Sequence, residues 1–571
     1  MQQAVSLLLR RMRWPLLTLI VVYAVSILGL VLIPGQDDQG NPWRMDFFHA
    51  FYFVSFMGTT IGFGEIPYPF TDAQRMWTTG SIYATVVAWL YAIGTLLSVI
   101  QDRAFRRVLE YSGFTRSVRR LTDPFYILCG YGDTGRLLVR ELAERGIPTT
   151  VIDPDEARIQ DLAVEPLPLY VPGLCADGSD SDSLLAAGLR HPRCKGVLAV
   201  SARDAVNLKV AITTRLLTPW LQVICRAETH DAAANMASFG TDHIVNAFDT
   251  FGERLAMMFR SPSMYLVFEW ITAVYGAPLE EFRVPPRGKW VLCGYGRFGK
   301  AVHEHLSREG IALTVIEADP ARTAPPDGFV HGRGTEAITL EEAGIRDAVG
   351  VIAGTDDDAN NLSILITARD LKPDLFTIGR QNQYSNDAIF QAADIDLIVQ
   401  PGTLIARAML DVITTPLLPD FLALARRQDD EWANVLVSRV SGVVTNKSPI
   451  TWSVSIDENE APAVTAMLRD GVRVSIAHLS TSPYDWTARL ACLPLLLVRN
   501  RDMHLLPDDE VVLAAGDELL FCGTAEARRG MRATASNYNV LDYVITGTTH
   551  PAGTVWRWLD RRRTPQRQAS T

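Results

Sequence analysis

The chain has 571 residues, too many for one domain and enough for roughly two to four, and its net charge of −10 gives no basic footprint of the kind a nucleic-acid binder needs. Its seven cysteines form no C-x-x-C pair, and Cys129 and Cys293 fall inside apolar strand-like runs. A disulfide scaffold and a zinc site are therefore not indicated, and reduced thiols in a cytosolic compartment are expected. Anionic small molecules are not excluded by this balance.

In chain order, the first element is an uncharged stretch over 15–34, "PLLTLIVVYAVSILGLVLIP", with the length of roughly 20 residues that a helix needs to cross a bilayer. A second uncharged run covers 76–101. Arg10, Arg11 and Arg13 precede the first span, and Arg103, Arg106, Arg107, Arg116, Arg119 and Arg120 follow the second, whereas the loop between them carries Asp37, Asp38, Asp46, Glu65 and Asp72. The bias of Lys and Arg toward cytoplasmic loops places both termini in the cytoplasm. The first run lacks a small-residue cleavage site and is followed by a second span, which argues against a signal peptide. Gly80 and Gly94 interrupt the second span, and Gly94, nearer its cytoplasmic end, is the candidate gating hinge, close helix packing being the other use of a membrane glycine.

Between the spans, 46–65 holds an aromatic stretch of helical length followed by "MGTTIGFGE", too short to cross. Non-helical backbone at membrane depth is tolerated only where protein buries it or where it lines a water-filled path. Gly62 and Gly64 free the backbone to point successive carbonyls the same way, the arrangement that dehydrates a cation. "TTIGFGE" resembles the potassium-channel selectivity filter T-V-G-Y-G-D, with Thr60, Ile61, Gly62, Phe63 and Gly64 on its successive positions. The resemblance implies that four copies of the loop surround K+ and replace its hydration shell. Ile61 is nearly isosteric with the usual Val; Phe63 lacks the tyrosine hydroxyl that braces the filter; Glu65 replaces the usual aspartate.

After an arginine-rich linker over 102–122, one unit occurs twice, as "DPFYILCGYGDTGRLLVRELAERGIPTTVIDPD" and "RGKWVLCGYGRFGKAVHEHLSREGIALTVIEAD". Each copy is strand, G-x-G-x-x-G, helix, strand, acid. The first turn is Gly130, Tyr131, Gly132, Asp133, Thr134, Gly135, with Asp153 as the acid. The second is Gly294, Tyr295, Gly296, Arg297, Phe298, Gly299, with Glu317. Both acids follow the first glycine by 23 residues. This context holds a dinucleotide: the glycines admit the pyrophosphate, the helix N-terminus offers N–H donors, and the acid takes the ribose hydroxyls. An acid there disfavours a 2′-phosphate, so NAD or ADP is expected. The alternative for each turn is helix-on-strand packing alone. Asp133 in one copy against Arg297 in the other predicts that the second site takes the more highly charged ligand.

The repeat continues through "DAVNLKVAITTR" and "DANNLSILITAR", which align Asn207 with Asn361 and Arg215 with Arg369, and then aligns Arg226 with Arg380. These last two arginines are candidates for a phosphate or a neighbouring subunit, against the plainer alternative of a surface ion pair. Each copy reads as a six-strand doubly wound unit, Rossmann-like over 123–250 and 286–410. Paired units tethered to a two-span pore resemble the prokaryotic potassium channels with tandem RCK domains, the regulators of potassium conductance. That resemblance covers nearly the whole chain. It implies a homotetramer in a bacterial or archaeal plasma membrane, with a cytoplasmic ring whose nucleotide opens or closes the pore. The expected direction is opening.

Interface helices are expected over 251–285 and from 411 to 427, and a small α+β C-terminal subdomain up to 546, with strand-like alternation from Trp432. The tail over 547–571 reads as a polar, disordered end. "CADGSDSDS" offers Asp177, Asp180 and Asp182 as calcium candidates, and "GTDDDANN" offers Asp356, Asp357 and Asp358, although neither has the twelve-residue loop spacing and helix caps use the same residues. Two rival functions remain. A membrane-anchored NAD-dependent oxidoreductase needs an acid or base beside the nicotinamide, and no Tyr-x-x-x-Lys helix supplies one. A regulatory subunit of a potassium transporter has no use for a filter of its own.

Overall fold

The computed structural model describes residues 2–273, 283–444 and 447–548. The chain divides into two compact units, one of residues 1–122 with 172–174 and 185–191, the other of the remainder.

In the first unit, α1 (Gln2–Leu32) and α3 (Asp72–Gln101) are long and apolar enough to span a membrane, over Arg10–Leu32 and Asp72–Gln101. Both start earlier than hydropathy alone predicts. Helix α1 runs through Pro15 and stops two residues short of Pro34. Helix α3 begins at a capping box: Thr71 Oγ1 accepts from the Gln74 N–H, and the Gln74 side chain accepts from the Thr71 N–H. A cap, not the end of the charged residues, sets that boundary. Gly29 lets the spans approach, since a Cβ there would stand 2.0 Å from the Trp77 ring. A short antiparallel pair, β1 (Gly35–Gln36) and β2 (Pro42–Trp43), precedes α2 (Phe47–Gly58). Asp46 caps α2 by accepting from the His49 N–H at 2.7 Å, and α2 buries Phe53, Val54 and Phe56 beside Ile27 and Leu30 of α1. The arginine-rich linker is itself helical, α4 (Arg103–Arg119).

The second unit carries the repeat. Strands β3 (Phe125–Cys129), β4 (Thr149–Asp153), β5 (Gly173–Cys175), β6 (Cys194–Ala199), β7 (Gln222–Ala227) and β8 (His243–Asn246) form one sheet in the order β5-β4-β3-β6-β7-β8. Its helices are α5 (Asp133–Glu144), α6 (Glu156–Val164), α7 (Ser181–Ala186), α8 (Asp204–Leu217) and α9 (His230–Ser238). After β8 come α10 (Ala247–Arg260) and α11 (Pro262–Thr272); the rest of the expected interface segment, 274–282, lies outside the described residues.

The second copy repeats the pattern with β9 (Lys289–Cys293), β10 (Ala312–Glu317), β11 (Val330–His331), β12 (Gly350–Ala353), β13 (Phe376–Arg380) and β14 (Leu397–Val399), ordered β11-β10-β9-β12-β13-β14. Its helices are α12 (Arg297–Arg308), α13 (Pro320–Thr323), α14 (Ala337–Glu342), α15 (Asp358–Leu371), α16 (Asp387–Ala392) and α17 (Pro401–Thr414). Both sheets have the doubly wound order, with the strand sequence reversing beside the glycine turn. The copies exchange helices: α10, at the end of the first, packs on α12 of the second, and α17, at the end of the second, packs on α5 of the first. The interface helices therefore start at Ala247 and Pro401, ahead of the expected 251 and 411, because each crossover belongs to the partner's core.

Helices α18 (Leu418–Ala425) and α19 (Asp430–Val443) follow, so the region from Trp432 opens as helix, not strand. The alternation lies further on, in the antiparallel sheet of β15 (Ile450–Ser455), β16 (Cys492–Arg499), β17 (Asp502–Leu505) and β18 (Glu518–Gly523), ordered β15-β18-β16-β17. Helices α20 (Pro462–Arg469), α21 (Ile476–Leu479), α22 (Ala525–Ser536) and α23 (Tyr538–Thr546) complete the α+β subdomain. The tail beyond 548 lies outside the described residues.

Candidate functional site

In the first unit, α2 ends at Gly58 and the filter sequence follows as open backbone. Thr60, Gly62 and Gly64 have φ of 63°, 69° and 97°, while Ile61 and Phe63 between them keep negative φ. Alternating hands along the chain turn successive carbonyls toward one side. Glycine carries this freely at 62 and 64; Thr60, β-branched, bears strain. The Ile61 and Phe63 side chains stay exposed on the single chain, although Phe63 meets Phe56 edge-to-face at 5.3 Å. Where the tyrosine hydroxyl is missing, Glu65 supplies a different anchor: its carboxylate accepts from Arg75 Nε at 2.9 Å, Arg75 Nη2 at 3.2 Å and the Phe70 N–H at 2.9 Å. Helix α3 is unbroken through Gly94, and the helical run first breaks at Asp102, where ψ is 123°.

In the second unit, the first glycine turn opens onto a cavity of about 440 Å³. Gly130 has φ 108°, and a Cβ there would lie 2.9 Å from the Ser201 N. A Cβ at Gly135 would meet the Gly130 carbonyl oxygen at 2.1 Å, so only glycine lets α5 sit against β3. Gly132 caps α5 without a side-chain acceptor, which leaves the first N–H groups open to an anion. The second copy repeats each feature: Gly294 has φ 92°, a Cβ at Gly299 would stand 2.0 Å from the Gly294 oxygen, and Gly296 is the bare cap of α12. Both acids sit buried where the fingerprint requires. Asp153 accepts from the Tyr131 N–H at 2.6 Å and the Asp155 N–H at 2.8 Å; Glu317 accepts from the Tyr295 N–H at 2.6 Å and the Asp319 N–H at 2.7 Å.

The first cavity is not built from the first copy alone. Arg297, Arg380, Asn382 and Gly402 of the second copy line it beside Arg226 and Glu228 of the first. Arg226 pairs with Glu228 at 2.5 Å, and Arg297 pairs with the same carboxylate. Arg380 stacks over Phe248 at 4.9 Å and Phe298 at 5.8 Å. The Nε atoms of Arg226 and Arg380 are buried without an acceptor. Burial lowers the proton affinity of Arg226 and pushes Arg380 down to about 10, with the like charges of Arg297 and Arg226 acting the same way on Arg380; each stays cationic at neutral pH. Buried cations with idle donors fit phosphate oxygens.

Arg226 makes an ion pair, with Glu228, as the plainer alternative has it, and both Arg226 and Arg380 line this cavity. Arg297 departs from its expected role: it leans out of its own turn to Glu228 and the first cavity. Asn207 and Asn361 serve the framework, each binding the next strand end, with Nδ2 donating to the Arg226 oxygen at 3.0 Å and to the Arg380 oxygen at 2.8 Å. Arg215 and Arg369 likewise hold backbone carbonyls, at Gly240 and Ala393. Phe248 and Gly402, at the starts of α10 and α17, and Asn382, just after β13, escaped the sequence reading because none of them lies in the glycine turn or at its acid.

The calcium candidates are corrected. Among the described residues no group of three or more His, Cys, Asp or Glu is placed to hold a metal ion. Asp177 takes the Ser179 N–H at 2.8 Å, which holds its carboxyl below the usual range, and Asp182 lies in the first turn of α7. Asp357 caps α15, and Asp358 accepts from Asn382 and Asn386. These acids close turns.

Two family models match the chain: "Ion channel" over residues 16–102, and "TrkA-N domain" over 126–247 and again over 290–401. Potassium channel protein 1 of Methanocaldococcus jannaschii is 26% identical over 288 residues, which are 50% of this chain and 83% of that protein. The voltage-gated potassium channel Kch of Escherichia coli is 26% identical over 31% of this chain and 40% of its own length. A solved structure described as "GsuK channel bound to NAD" aligns over 93% of this chain and 100% of its own at 16% identity, with a TM-score of 0.46. A two-span ion-channel pore followed by paired TrkA-N domains defines the class. Within it, the chain belongs to the prokaryotic potassium channels with RCK domains.

Proposed function

We propose that four copies of this chain form a potassium channel in the plasma membrane of a prokaryote, both termini cytoplasmic, whose opening is set by an adenine nucleotide, NAD or ADP, at the first glycine turn. The observation that carries the nucleotide reading is the first cavity: a bare helix N-terminus, a buried ribose acid and three arginines drawn from both copies. The bound nucleotide supplies Arg226, Arg297 and Arg380 with anionic charge beyond the single carboxylate of Glu228. Gly130, Gly132 and Gly135 admit the pyrophosphate, and Asp153 takes the ribose hydroxyls. Because a ligand shifts an equilibrium only through differential affinity, the nucleotide acts by favouring one angle between the two copies. The arginines that meet in the first cavity make it, rather than the second, the site for the more highly charged ligand.

In the pore, the alternating backbone of Thr60 to Gly64 presents carbonyls to K+, and the exposed faces of Ile61 and Phe63 are where neighbouring subunits close around it. The test is K+ flux from liposomes containing purified protein, with and without NAD or ADP. Flux that responds to nucleotide in wild type and is insensitive in Asp153→Ala supports the reading. Absence of K+ flux overturns the channel; flux indifferent to both nucleotides overturns the ligand.

A further inference from the structure

Helices α10 and α17 pack against each other, and each starts at the nucleotide cavity, α10 with Phe248 and α17 with Pro401 and Gly402. One to two turns further along, the same helices enclose a second cavity of about 550 Å³, with Arg254 and Met258 from α10 and Thr403 and Arg407 from α17. Its lining is divided. One part is apolar, including Met258 and Leu397; the other is polar, with Arg254 and Arg407 beside two acids, Glu269 and Asp387.

In the polar part the arginines keep donors that the two acids leave open. The Arg254 side chain is only 8% exposed, lies 4.2 Å over the Phe268 ring, and has a buried Nε without an acceptor. Its nearest acid, Glu269, stands 3.6 Å from Nη1, longer than a hydrogen bond. Asp387 is already occupied by the amides of Gln391 at 2.7 Å and Gln400 at 3.0 Å. Arg407 has neither a hydrogen bond nor an ion pair among the described residues. Asp411, one turn on, does not neutralise it fully: burial pushes that carboxyl up to about 7 against the pull of Arg254, Arg145 and Arg407. Arginine does not shed its proton, and its strongest hydrogen bonds go to an anion, so the idle donor of Arg254 favours one.

We propose that this cavity is a second ligand site, taking a small organic acid whose carboxylate meets Arg254 and Arg407 while its apolar body lies against Met258 and Leu397. The volume suits such a molecule. A free inorganic anion leaves the apolar part empty. Because both walls run on to the nucleotide cavity, occupancy of one site alters affinity at the other by the same factor in each direction; this coupling rests on the nucleotide reading, whereas the carboxylate site does not.

The test is calorimetry on the detergent-solubilised full chain with three probes: phenylacetate, which has body and charge; inorganic phosphate, charge alone; and benzyl alcohol, body alone. Saturable phenylacetate binding with a Kd on the order of 1 mM is expected, weakened about tenfold or more in Arg407→Gln and in Arg254→Gln, with no saturable binding of benzyl alcohol and with any phosphate binding, at the nucleotide cavity, unchanged in Arg407→Gln. Arg407 is exposed, so its variant keeps the test meaningful if the Arg254 variant does not fold. In wild type, phenylacetate is expected to change the Kd for NAD several-fold, and in Arg407→Gln not at all. No saturable phenylacetate binding, or binding unchanged in Arg407→Gln, overturns the site. Phosphate that binds as tightly as phenylacetate and is weakened as much in Arg407→Gln overturns the organic-acid class. If phenylacetate binds but NAD does not, the nucleotide reading fails and the carboxylate site stands; if both bind without affecting each other, the coupling fails.

Discussion

At the scale of single residues, the backbone conformation of a glycine and the company of an arginine decide most. Gly62, at φ 69°, has open space around its absent Cβ, so alanine there strains the backbone and does not clash. Gly62→Ala is expected to abolish or strongly reduce K+ flux while leaving the protein folded and nucleotide-competent; normal flux with that variant removes Thr60 to Gly64 as the conduction path. Arg297 and Arg226 share Glu228. Arg297→Ala frees that carboxylate to pair with Arg226 alone and removes a cation from the first cavity. The expected result is a loss of about tenfold in ADP affinity there, of the order of one charge-assisted hydrogen bond, measured by calorimetry on the full chain. A loss confined to the second turn, with the first unchanged, returns Arg297 to its own copy. The two sites are told apart by repeating the titration in Asp153→Ala and Glu317→Ala.

At the scale of elements, helix α3 is where the sequence proposal meets the fold. It passes Gly94 without a break and turns at Asp102, which the Arg11 guanidinium pairs at the start of α1. We expect Gly94→Ala to stabilise the helix by about 1 kcal/mol and to lower open probability in single-channel recordings, since a bend at that glycine then costs more. If opening and its nucleotide response are unchanged, the pore bends elsewhere, and the turn at Asp102 is the next place to look. The crossover helices make a second element-scale point. The repeat predicted two equal Rossmann units, and the two sheets have equal order, yet α10 and α17 each pack on the other copy, so one face of each unit is completed by its neighbour.

At the scale of the whole molecule, the described structure implies one pH response. Asp411 on α17 has its carboxyl pushed up to about 7 by burial, from an ordinary value of 3.8. An acid whose folded value is raised holds its proton in the folded state while the unfolded chain loses it, so this contribution to stability falls as pH rises from about 4 to about 7 and is flat above. The expected outcome is that Asp411→Asn flattens part of the pH dependence of the melting temperature between about pH 4 and about pH 7, in thermal denaturation of the full chain. An identical pH profile for wild type and variant places the titration on another group.

Taken by itself, the sequence was enough for whatever depends on local pattern. Two uncharged runs, an aromatic stretch before T-T-I-G-F-G-E, and a doubled strand, glycine turn, helix, strand and acid specify spans, a non-helical glycine loop between them and Rossmann units, because hydropathy, backbone permissiveness and strand alternation act over a few residues at a time. Asp153 and Glu317 were legible for the same reason: the acid's distance from the turn is fixed by one βαβ unit. Helix starts at Asp72, Ala247 and Pro401 were not, since a cap or a partner's core sets them. The calcium candidates failed because a run of aspartates is equally a set of turn closures, and only the hydrogen bonds of Asp177 and Asp358 separate the two. What tertiary structure alone decided is which residues meet across the repeat: Arg297 and Arg380 beside Arg226 in one cavity, Arg254 beside Arg407 in another. Those pairs come from distant segments brought together by the exchange of α10 and α17, and no local periodicity carries that information.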